Sequence, residues 1–161
     1  QTVDWRIKMK LILFCFVLKN FIVQVLLAPT DEFAEVRISK GKIRGRMVVR
    51  PEIPLTYYSF LGIPYAQPPV GPLRFKPPQP PFPWSGVKET LSPGEECFQK
   101  QLFQSGSEDC LYINVYTTQL PKDGTPLKAV MFWIYGGLFK LGNGYSNYGP
   151  EFLLNKDVVL V

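Results

Sequence analysis

The sequence predicts an α/β chain with a mixed sheet, on three observations. Residues 36–39 and 42–48 alternate apolar with polar side chains about Lys40 and Gly41, the pattern of a hairpin of half-exposed strands. Residues 111–117 alternate strictly, with Leu111, Ile113 and Val115 facing one way and Tyr112, Asn114 and Tyr116 the other. Residues 129–134 form an unbroken apolar run, as expected of a strand covered on both faces in a mixed or parallel sheet.

The remaining elements fall between and around these. Residues 57–61 form a short third strand that Gly62 and Pro64 should end. Nine of the 16 prolines lie in residues 64–83, a density that neither a helix nor an interior strand tolerates, because proline lacks an N–H and fixes φ. Tyr65, Leu73, Phe75, Phe82 and Trp84 are interleaved with them, so the segment is expected to wrap a core instead of hanging free in solvent. Residues 121–124 make a turn. The apolar run 129–134 leads into Tyr135, Gly136 and Gly137, then a loop carrying Gly142, Gly144 and Gly149. Pro150 can open a short helix over 150–156, and residues 158–161 begin another buried strand. A buried strand at that point belongs to a larger sheet, so the chain is expected to be a fragment of a larger protein.

Charge and composition narrow the function. The chain carries 18 Lys and Arg against 13 Asp and Glu, a net of +5. Residues 1–28 hold Arg6, Lys8, Lys10 and Lys19 against Asp4, so the rest is nearly balanced and no nucleic-acid partner is expected. Met9 and Lys10 precede an apolar run at 11–18, with a small residue at Ala28, the layout of a secretory signal peptide starting at Met9. Lys19 interrupts the apolar stretch, so no stable membrane span is expected; a retained N-terminal anchor is the alternative. The chain contains no histidine, which removes His-based acid–base catalysis, any complete Ser-His-acid triad and any imidazole metal site. With Cys15 in the leader, Cys97 and Cys110 remain, an even count suited to a disulfide in an oxidising compartment; two unrelated buried thiols are the alternative.

Three stretches, FLGIPYAQPPVGPLRF at 60–75, SEDCLYINV at 107–115 and VMFWIYGGLF at 130–139, together resemble the type B carboxylesterase/cholinesterase family in order and spacing. The resemblance runs from about residue 33 to the end, and it implies that residues 29–161 are the N-terminal portion of a longer domain. It implies an α/β-hydrolase fold, its mixed and mostly parallel sheet carrying an N-terminal antiparallel hairpin, with the proline-rich segment wrapping the edge. It implies that Cys97–Cys110 is the family's first disulfide. It also implies a serine esterase that acts by acyl transfer on a small-molecule carboxylic ester, with no cofactor and no metal. The family's oxyanion loop falls on Tyr135, Gly136, Gly137 and Leu138, with the N–H groups of Gly137 and Leu138 as donors.

Backbone donors suit this chemistry, because a tetrahedral intermediate carries a full negative charge and glycine lets the acyl group approach closely. Leu138 departs from the family's glycine: either it narrows the site, or it displaces its donor, or the protein is not catalytic. The family's Gly-x-Ser-x-Gly element is absent, and Ser146, followed by glycine three places later instead of two, is read as structural. The nucleophile, acid and His are therefore expected beyond Val161. Phe98 and Phe103 are read as loop packing, so choline-type specificity is not expected. The parent is expected to be a secreted esterase of the insect-like detoxifying or hormone-clearing kind, and this chain alone to be unstable and inactive. The alternative is a catalytically silent, cholinesterase-like adhesion or binding protein.

Overall fold

The computed structural model describes residues 32–100, 104–138, 140–146 and 149–161. The leader over 1–28, with Met9 and Cys15, lies outside the described residues, as does Phe103.

The hairpin forms as its alternation requires. β1 (Phe33–Ile38) pairs antiparallel with β2 (Gly41–Arg50), with Val36 opposite Ile43 and Glu35 opposite Arg44. Ala34 and Ile43 are buried on the inner face, while outside, Arg44 bonds Glu35 at 2.8 Å and Glu89 at 2.9 Å. Such exposed pairs fix register more than they add stability.

β3 (Leu55–Pro64) pairs antiparallel with β2 and with β7 (Tyr112–Thr117). It runs through Gly62 instead of stopping there, because a register shift between Phe60 and Ile63 absorbs the irregularity. Gly62 has φ +69°, and its N–H donates to Asn114 Oδ1 at 3.0 Å. The extra residue restores parity, so that Phe60 and Ile63, three apart, bury into the same cluster.

The sheet order is β1-β2-β3-β7, then β9 (Val159–Leu160) and β8 (Val130–Met131), with β4 (Val87–Glu89) parallel to β2. β8 and β9 are parallel, and β9 is antiparallel to β7. The sheet is thus mixed, its parallel part represented here by the β8–β9 pair. The two faces carry two cores. Ala34, Ile43, Phe60 and Ile63 pack with Val115 and Trp84, and Leu55, Tyr57 and Leu160 pack with Leu154 of the short helix α1 (Glu151–Leu154). Pro150 supplies the carbonyl of the helix's first hydrogen bond, to Leu154 N at 3.0 Å, and so stands at its cap. α1 is held to the sheet by Glu151, which accepts from Tyr57 Oη at 3.1 Å and faces Arg50 Nη2 at 3.3 Å. Burial, then the Glu151 charge, pushes the Tyr57 hydroxyl above the ordinary tyrosine range.

Two expectations are corrected. The run 129–134 is not a strand covered on both faces: only Val130–Met131 is strand, and Val130 is 63% and Ile134 78% exposed. β8 is the outermost strand, paired with β9 alone, and both of its residues are exposed. The proline-rich wrap is ordered by polar pins more than by aromatic packing. Gln67 N donates to Gln79 O at 2.8 Å and Trp84 Nε1 to Lys42 O at 2.7 Å, and the Trp84 ring packs so close to the hairpin that a Cβ at Gly41 would strike it. Phe82 is exposed and Phe75, 98% exposed, adds nothing to the core.

Candidate active site

The site is built where β8 leaves the sheet. Trp133 N donates to Val161 O at 2.7 Å, which carries the β8–β9 ladder one residue beyond the strand and aims the next residues outward. The chain then turns at Gly136, Gly137 and Leu138. Gly137 has φ +142°, and a Cβ there would run into the Leu141 carbonyl. Its own carbonyl accepts from Lys140 N at 3.0 Å and Leu141 N at 3.2 Å, so the loop folds back on itself within one turn. Around Gly136 nothing lies within 4 Å of an added Cβ. The N–H groups of Gly137 and Leu138 donate to nothing among the described residues.

Leu138 holds φ +57°, a left-handed conformation that costs a leucine about 1–2 kcal/mol. Its side chain is 86% exposed and does not line the neighbouring cavity. Leu138→Gly is therefore expected to stabilise the protein by about 0.5–1 kcal/mol, the relief of strain less the added freedom of the unfolded glycine. Urea denaturation of the two forms checks this, and a destabilised variant would mean that the leucine makes contacts the strain estimate omits.

Asn143, which the sequence reading passed over, organises the second half of the loop. Its Oδ1 accepts from Tyr145 N at 3.2 Å and Ser146 N at 2.8 Å, the side-chain turn that asparagine favours. Ser146 sits on that bend with no strand leading into it, in keeping with a structural role.

A cavity of about 730 Å³ lies beside the loop, with Tyr112, Tyr116, Trp133, Tyr135 and Tyr145 in its wall. Tyr135 bounds it on one side of the glycine pair and Asn143 on the other, while Gly136, Gly137 and Leu138 are not in the wall themselves. Burial raises the Tyr112 hydroxyl above its ordinary range, helped by its hydrogen bond to Asp109 at 2.9 Å. Burial and then Glu151 do the same to Tyr116. Both tyrosines stay neutral donors well above neutral pH.

The disulfide loop closes the far side. Cys97 and Cys110 are bonded, and both reach the cavity wall. Inside the loop, β5 (Gln99–Lys100) and β6 (Gln104–Ser105) form a short ribbon. Phe98 is exposed, not packed as expected. Among the described residues no cluster of acidic or thiol groups is arranged to hold a metal, and no helix is long and apolar enough to cross a membrane.

The family model for the carboxylesterase family matches residues 32–161. This chain belongs to the carboxylesterase family. A juvenile hormone esterase of Tribolium castaneum is 50% identical over 112 residues, which cover 65% of this chain and 18% of that protein. Esterase E4 of Myzus persicae is 41% identical over 163 residues, covering 91% of this chain and 28% of that protein. Among solved structures, a carboxylesterase of Geobacillus stearothermophilus superposes with a TM-score of 0.63 at 38% identity, over 78% of this chain and 25% of that one. The fold is accordingly part of a carboxylesterase domain, and the chain spans between 18% and 28% of the length of these relatives.

Proposed function

We propose that this chain is the N-terminal part of a secreted carboxylic ester hydrolase, and that it contributes the oxyanion donors of a serine acyl-transfer site. The observation that carries the reading is the pair of adjacent amides, Gly137 and Leu138, on a tight turn beside an aromatic cavity, with no acceptor among the described residues. Rigid backbone donors aimed at a developing negative charge are typically worth about 10²–10³ in rate each. The serine, acid and histidine of such a mechanism are supplied by residues outside this chain, which has neither a histidine nor a Gly-x-Ser-x-Gly element. Secretion is supported by the basic start and apolar run at 9–18. The substrate is a small carboxylic ester, in line with the esterases that the chain resembles.

Leu138 favours a second reading, a silent binding protein on the same fold, because it replaces the expected glycine at a strained donor position. Hydrolysis of 4-nitrophenyl butyrate by the full-length protein separates the two. Turnover that is abolished by a serine-directed phosphonate, with stoichiometric labelling, supports the esterase. Absence of both turnover and labelling selects the silent reading, and turnover appearing only in Leu138→Gly would assign that silence to the leucine.

A further inference from the structure

The loop closed by the disulfide does more than border the cavity. Gln99, at the start of β5, is buried, and its carboxamide grips the backbone of Gly142 with two hydrogen bonds. Gly142 N donates to Gln99 Oε1 at 2.7 Å, and Gln99 Nε2 donates to Gly142 O at 3.2 Å. A carboxamide carries its donor and its acceptor on separate atoms side by side, so it can satisfy both backbone groups of one residue as a neighbouring strand would.

Gly142 in turn stands against the donor turn. A Cβ on Gly142 would lie 2.9 Å from the Gly136 carbonyl oxygen and 2.9 Å from the Tyr135 ring. Gly137, one residue on, is stitched to Leu141 by the bond at 3.2 Å. Fixing Gly142 therefore fixes both ends of the turn that presents the Gly137 and Leu138 amides. A second contact, at the residue just before Cys97, reinforces the first: Asn143 Nδ2 donates to Glu96 Oε2 at 3.4 Å, and Ser105 Oγ of the loop donates to Glu96 Oε1 at 2.7 Å.

We infer that Gln99 is the positioning residue of the glycine loop, through which the Cys97–Cys110 loop sets the aim of the two amides. The inference rests on the reading of that loop as the donor site, and its test keeps the two apart. In the full-length protein, Gln99→Met preserves side-chain length and removes both bonds, while Gln99→Glu keeps the acceptor for Gly142 N and loses the donor.

Hydrogen–deuterium exchange over residues 133–146 is expected to quicken about tenfold in Gln99→Met, by less in Gln99→Glu, and not at all in the surface control Gln79→Met. Turnover of 4-nitrophenyl butyrate per phosphonate-titrated site is expected to fall about tenfold in Gln99→Met, with KM changed less than twofold and partial recovery in Gln99→Glu. Unchanged exchange across the loop in both variants overturns the inference, whatever happens to the thermal midpoint. Faster exchange with unchanged turnover per site leaves Gln99 as the clamp and instead removes the glycine loop from the chemistry, overturning the functional reading.

Discussion

Gly137→Ala in the full-length protein is expected to lower kcat/KM for a short-chain ester by about 10²–10³, with most of the loss in kcat. The residue combines two constraints that no side chain meets at once. Its φ of +142° lies in the region that favours glycine, and an added Cβ would run into the Leu141 carbonyl. The backbone has to rotate to admit the methyl group, and the two amides rotate with it. Since donors stabilise an oxyanion only when aimed at its position, the loss should appear in the transition state and leave substrate affinity nearly untouched. Gly136→Ala provides the comparison: its space is open within 4 Å, so its loss should be at least about tenfold smaller. Full activity in Gly137→Ala, in a protein that circular dichroism shows to be folded, would dismiss these amides as the donors.

Removing the disulfide is the second large effect. The double change Cys97→Ser and Cys110→Ser should destabilise the protein by about 3 kcal/mol, the chain-entropy value for a loop of this size. The loop has little of its own to fall back on. Its ribbon is two residues long on each side, and its neck is held by Phe98 N to Ser107 O at 3.0 Å and Ser107 N to Glu96 O at 2.8 Å. No large apolar residue of the loop is buried among those described. Thermal unfolding with and without a reductant measures the effect. A midpoint that does not move would show that the unfolded loop is already constrained by other means.

The hairpin and β7 were legible because a period of two is a local property, set by which side chains face water. β3 was legible only as far as Leu61: Gly62 and Pro64 read as an end, and what lets the strand continue is a bulge whose partner, Asn114, is distant in sequence. The run 129–134 announced a strand but not its surroundings, since hydrophobicity records a need for cover without naming what provides it. Aromatic bulk misled in the same way at Phe75 and Phe82. The glycine loop became a candidate site only through its resemblance to a family, because two adjacent glycines alone fit any tight turn. Gln99 had no signal at all, as one polar residue in a loop looks like solvent contact until Gly142 is seen opposite it.

The bare aromatic and aliphatic ribbon at 132–134 has a consequence for biosynthesis. Phe132, Trp133 and Ile134 are all exposed, beside a strand edge that no described element pairs. Chains bearing such a surface stick to one another. Residues 32–161 produced alone should therefore collect in inclusion bodies.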